Sequence, residues 1–241
     1  MASLPDWIQL VGYLFFFAAV LVAVYLFFPP SRPVVPRRRE SRRPLPAAEP
    51  GDLVARADAH ERYPRGHSER VAALALALAG AAGLPRETRE RIHQAAIFHD
   101  LGMLEVPEAL IAKPGSLSPA ENAQIWRHSV KGAAQVLDLT RDAEMATWVR
   151  WAHERWDGLG FPDGLAGVDI PLASRILRLA DSAEAMLHPR PYRGALVPDD
   201  VAREIEGLSG IVFDPALVPL FLEHVLPNHV LQQVSVGSLS R

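Results

Sequence analysis

The chain has 241 residues, 49% of them apolar, no cysteine, and a formal net charge of −3. That length allows one sizeable domain with additions, or at most two small ones, and the apolar share is enough for a buried core. Disulfides and thiolate metal sites are excluded, which leaves His, Asp and Glu as the plausible ligands for a metal ion.

Residues 1–6 form a short head without Lys or Arg. Trp7 to Phe28 then runs for 22 residues with Gln9 as its only strongly polar side chain. A helix of that length spans about 33 Å, which matches a hydrocarbon core. Trp7 and Tyr25 lie near its ends, where interfacial aromatics sit. A cleaved leader would carry positive charge before the apolar run and small residues after it; this run ends Phe27-Phe28-Pro29-Pro30. A helix lying in the interface would need a polar face, and none exists. The expectation is a single transmembrane helix over 7–28.

Residues 29–51 read as an Arg- and Pro-rich linker with no fold of its own. Residues 32–43 carry six Arg against Glu40 alone, a local +5 that leaves −8 on the rest of the chain. Basic residues beside a membrane helix favour the cytoplasmic side. The expected localisation is therefore the cell membrane, single-pass, with the main domain cytoplasmic. An acidic main domain is poorly suited to gripping a nucleic-acid backbone, so no nucleic acid is expected as a partner.

Residues 52–225 read as helix after helix, followed by a tail over 226–241. Val71–Ala82 is rich in Ala and Leu and stops at Gly83; Glu87–Phe98 runs into His99-Asp100. Ser118-Pro119-Ala120-Glu121 predicts a helix start, with Ser as cap, Pro in the first turn and Glu reaching back. Ala143–Trp156, Ser174–Met186 and Asp199–Ile205 also carry helical patterns. Lys113-Pro114-Gly115 is a turn, and Asp157–Gly167, with four glycines and a proline, is a structured loop. Sustained period-2 alternation is nearly absent. The fold class is all-α, a helical bundle domain preceded by the membrane helix.

Of nine histidines, His67, His99, His128 and His153 fall on successive helices, at helix ends or on apolar faces. Asp100 and Asp181 accompany them. Helical bundles build metal sites in this way, from side chains on facing helices that project inward. His60, His93, His188, His224 and His229 fit no such pattern and read as structural or exposed.

The strings around these residues occur in a set order. They are Tyr63-Pro64-Arg65-Gly66-His67, His99-Asp100-Leu101-Gly102, Lys113-Pro114-Gly115-Ser116-Leu117-Ser118, and the run from His153 to Leu165. Ile170-Pro171-Leu172-Ala173-Ser174-Arg175-Ile176, Ala180-Asp181, Arg190-Pro191-Tyr192-Arg193 and Phe213-Asp214-Pro215 follow. In this order the chain resembles the HD superfamily of metal-dependent phosphohydrolases, in its HD-GYP branch, from about residue 55 to about residue 222.

The resemblance implies two divalent metals, often iron or manganese, bridged by Asp100. One would take His67, His99, Asp100 and Asp181; the second would take Asp100, His128 and His153. It makes His99 and Asp100 the catalytic pair, and Arg190, Arg193, Gly160 and Phe161 the substrate-binding positions. The implied substrate is a cyclic dinucleotide, cyclic di-GMP above all, or another phosphoester. A homodimer stays open.

Four positions depart from the pattern. Met103 stands where the family usually has Lys, and losing a general acid or phosphate contact costs about 10²–10⁴-fold in rate. Ala152 replaces a His, which leaves the second metal site weaker or empty. Phe161 keeps the ring of the motif Tyr and drops its hydroxyl. Glu184 replaces an Asp, a milder change. Two readings follow: a membrane-anchored phosphodiesterase, or a catalytically degenerate domain that binds a nucleotide or protein and signals without turnover.

Overall fold

The computed structural model describes residues 50–60, 66–189 and 194–229, which belong to the unit Ala47–Arg241. The membrane helix expected over 7–28, most of the linker, and Arg190 and Arg193 lie outside the described residues. Among the described residues no helix is long and apolar enough to cross a membrane. They hold no β-strand either, so the domain is all-helical as expected.

In chain order come α1 (Pro50–His60), α2 (His67–Ala81), α3 (Arg86–Ile97), a 3₁₀ helix (Leu101–Glu105) and α4 (Glu108–Ile111). Then follow α5 (Pro119–Thr140), α6 (Ala143–Arg150), a 3₁₀ turn (Gly167–Asp169), α7 (Leu172–Leu187) and α8 (Pro198–Gly207). Finally, α9 (Leu217–Leu220) leads into a π turn (Phe221–Val225), and helical backbone continues over 226–229 with Leu226 buried.

α2 is the centre of the domain. Val71, Leu74, Ala75, Leu78 and Ala79 recur three and four apart, and all are buried. A stripe of that width faces more than one neighbour, and α2 packs against α3, α7 and the π turn. α7 buries Ala173, Ile176, Leu177, Ala180 and Ala183, with Glu184 on the same inner face. α5 starts as its sequence predicts: Ser118 Oγ accepts from the Glu121 N–H, and the Glu121 carboxylate accepts from the Ser118 N–H at 2.7 Å.

The helix expected over Ala143–Trp156 ends earlier, at Arg150. The backbone then tightens, with the Ala152 N–H donating to Val149 and the Glu154 N–H to Trp151. Glu154 is buried, and its Oε1 accepts the N–H groups of Asp163 and Gly164 at 2.8 and 3.0 Å. That carboxylate pulls the 157–167 loop back over the helix end and blocks further turns. Gly160 lies against the same place: a Cβ there would come within 2.4 Å of the Arg155 nitrogen.

A second close approach fixes the His-Asp doublet. The 3₁₀ helix after Asp100 packs on α5. A Cβ on Gly102 would sit 1.9 Å from the His128 carbonyl oxygen and 2.6 Å from the Gly132 nitrogen. Only a glycine fits, and its absence of side chain sets the doublet beside His128.

Candidate metal centre

His67 is the first residue of α2, and His99 and Asp100 follow directly after α3 and its capping Phe98. His128 lies within α5, His153 in the turn after α6, and Asp181 on α7. The fold brings these six side chains together. His67, His99 and Asp100 form one group whose donor atoms all lie within 4.8 Å of one another; Asp100, His128 and His153 form a second.

The Asp100 carboxylate divides between them. Its Oδ2 lies 2.9 Å from His99 Nε2 and 3.6 Å from His67 Nε2. Its Oδ1 lies 3.7 Å from His128 Nε2 and 3.8 Å from His153 Nε2. Asp181 Oδ1 stands 3.7 and 3.9 Å from the Nε2 atoms of His67 and His99. Asp181 is the more exposed of the two carboxylates, so it marks the open side of the cluster.

The rings are aimed by what their other nitrogens hold. His67 Nδ1 is 2.7 Å from Glu184 Oε2, His99 Nδ1 is 2.7 Å from the Ala96 carbonyl, and His128 Nδ1 is 2.8 Å from the Ile125 carbonyl. Each contact makes Nδ1 the donor and turns Nε2 inward, the arrangement that orients metal-ligating imidazoles. His99 Nε2 is fully buried and makes no well-aligned hydrogen bond, and the Nε2 atoms of His128 and His153 face each other at 2.9 Å. A carboxylate shared by two groups of inward imidazole nitrogens fits the binding of divalent metal.

The two halves differ in charge. Burial opposes protonation of His67 and His99, but contacts with Asp100, and with Glu184 for His67, outweigh it and raise them to about 9 and about 10. Burial also works against the Asp100 charge, yet His99 first, then His153 and His67, hold its carboxyl well below the usual range. His128 is pushed down to about 4 by burial and by His153.

Raised imidazole values stabilise the metal-free fold fully below the ordinary His value of 6.5, and that stabilisation fades as the pH climbs through 9 to 10. A metal ion needs neutral rings, so filling the His67–His99 half at pH 7 is expected to expel about two protons. Calorimetric titration of Mn²⁺ in buffers of different ionisation enthalpy reads that number directly; no release would contradict the protonated pair.

Three of the four departures now have a physical setting. Met103 is buried in an apolar cluster with Val106 and Leu110, against Ile111, Leu117 and Ile125, and offers neither charge nor proton. Ala152 is buried and supplies no donor, so the second group rests on its three ligands. Phe161 stacks on His153 at 5.1 Å between ring centroids, and Trp126 stacks on Phe161 at 5.2 Å. The motif ring therefore forms the wall of the His128–His153 half.

Glu184 matters more than the mild substitution expected from the sequence. It is fully buried, accepts from Arg70 Nε at 2.8 Å, and holds His67 from behind. Burial would raise its pKa, but His67 and then Arg70 bring it down to about 2. Its place one turn after Asp181 was the available signal, since residues three apart share a helix face. Glu184→Gln is expected to weaken metal binding in the His67 half about 10–100-fold, with the His128 half unchanged, in a metal titration.

Comparison with known proteins agrees with this architecture. A family model described as HD domain matches residues 55–217. The chain is 35% identical over 160 residues to a cyclic di-GMP phosphodiesterase of Thermotoga maritima, covering 65% of this chain and 43% of that protein. It is 36% identical over 144 residues to a 3'3'-cGAMP-specific phosphodiesterase of Vibrio cholerae, covering 60% and 33%. The chain thus spans less than half the length of these curated relatives.

Among solved structures, a cyclic GMP-AMP-specific phosphodiesterase of Vibrio cholerae superposes with a TM-score of 0.57 at 19% identity, over 74% of this chain and 47% of that one. An HDG"Y"P protein of Bdellovibrio bacteriovorus gives 0.53 at 21%, over 65% and 50%. At such identities the likeness is one of fold.

Proposed function

The chain belongs to the HD-domain family, and on that premise we propose that it is a metal-dependent phosphodiesterase acting on a cyclic dinucleotide, cyclic di-GMP first. The observation that carries this reading is the divided Asp100 carboxylate, with one oxygen toward His67 and His99 and the other toward His128 and His153.

His67, His99, Asp100 and Asp181 would hold one ion, and Asp100, His128 and His153 a second, more weakly bound; iron and manganese suit these nitrogen and oxygen donors. Paired divalent ions supply Lewis acidity toward a phosphoester and an acidified water. The chain's own groups do the rest. Glu184 and the Ala96 and Ile125 carbonyls hold the imidazoles in place. Burial of the doublet keeps bulk water from the cluster, and Asp181 lines the side through which a phosphoester enters. Phe161, Gly160, Arg190 and Arg193 complete the substrate side of this reading. In the full chain, residues 7–28 anchor the domain to the membrane from its cytoplasmic face.

A second reading, binding without turnover, draws on Met103, which leaves an apolar cluster where an ionisable group would aid the leaving group. One assay separates the two. Full-length protein loaded with Mn²⁺ or Fe²⁺ is incubated with cyclic di-GMP and with 3'3'-cGAMP. Linear dinucleotide is the expected product; stoichiometric metal and bound nucleotide without product would establish the second reading.

A further inference from the structure

Arg178 lies on α7 one turn before Asp181, and residues three apart on a helix are neighbours on its surface. It is half-buried, its Nε is fully buried without a hydrogen-bond partner, and it makes no ion pair with a described residue.

The neighbouring arginines are engaged. Arg175 donates to the Ile170 carbonyl at 2.9 Å and pairs with Asp214; Arg155 pairs with Asp157 at 2.6 Å. Burial presses the Arg178 guanidinium toward its neutral form, against the attraction of Asp181 and with the repulsion of Arg155.

A buried guanidinium nitrogen without a partner is costly, and an anion that meets the fork of donors removes the cost. Asp181 cannot serve as that anion once its carboxylate is turned to a metal ion.

Resting on the phosphodiesterase reading, we propose that Arg178 is a substrate-binding residue whose guanidinium takes a phosphate oxygen of the phosphoester at the metal centre. It supplies there the positive charge that Met103, packed into its apolar cluster, does not. The ligand chemistry is a phosphate group, carried by a nucleotide or free in solution.

The test compares full-length, Mn²⁺-loaded wild type with R178Q, R178K and R178M, titrated with inorganic phosphate and with cyclic di-GMP. R178Q is expected to weaken both ligands about 10–100-fold, the worth of a charge-assisted hydrogen bond, with metal content unchanged. R178K is expected to recover part of the loss. Without phosphate, R178M is expected to melt no lower than wild type, and added phosphate to raise the wild-type midpoint more than the variant's.

Unchanged affinity in R178Q at full metal content overturns this inference alone. A lower midpoint for phosphate-free R178M, with lost metal, makes Arg178 a packing residue and also overturns it. Metal-loaded wild type that binds neither ligand overturns the phosphodiesterase reading and this inference together.

Discussion

Asp100→Ala is expected to remove metal from both halves of the cluster and to abolish turnover. No other side chain is shared by the two groups of donors. Loss of the ions forfeits several kcal/mol of charge stabilisation in the transition state, or on the order of 10³-fold in rate at about 1.4 kcal/mol per factor of ten. The helices around the doublet should persist, because the Asp100 side chain makes no cap hydrogen bond to the 3₁₀ helix that follows it. Its removal also takes away the nearest counter-charge of His99, so both raised imidazoles should titrate lower in the metal-free variant. Metal analysis with product chromatography checks the first effect, and NMR titration of the histidine rings the second. Full metal occupancy in Asp100→Ala would refute the bridging role.

Gly102→Ala is expected to have the largest effect on stability of any single methyl group near the site. The added carbon would lie 1.9 Å from the His128 carbonyl oxygen and 2.6 Å from the Gly132 nitrogen, both backbone atoms of α5. Neither can turn aside as a side chain would, so the 3₁₀ helix and α5 must separate. Overpacking of this kind costs about 3 kcal/mol or more. The displacement also pulls Asp100 away from His128, which weakens the second metal half before the first. Chemical denaturation with metal titration follows both, and wild-type stability in Gly102→Ala would contradict the close crossing.

Much of this site was legible in the sequence, because its ligands sit in short strings whose order survives without knowledge of the fold. The doublet at 99–100, the capped start of α5 and the glycine-rich loop after His153 all read directly from local chemistry. What was hidden depends on contacts between distant segments. Glu184 looked like a conservative change, yet it grips His67 from 117 positions away. Met103 looked like a missing phosphate contact, and only packing shows that it feeds an apolar cluster with Val106 and Leu110. The helix through His153 looked continuous to Trp156 because its apolar period continues, while the buried Glu154 carboxylate turns the chain back. Arg178 carries no motif signal at all; it stands out by its buried Nε, which has no partner among the described residues.

The sharpest test of the divided carboxylate is a calorimetric titration of Mn²⁺ into metal-free full-length protein, with Asp181→Asn and His153→Ala beside it. Two sites of unequal affinity are expected. Asp181→Asn should weaken the one built on His67 and His99, and His153→Ala the one built on His128. No binding at all, or one site lost equally in both variants, would contradict a centre in which Asp100 joins two ions.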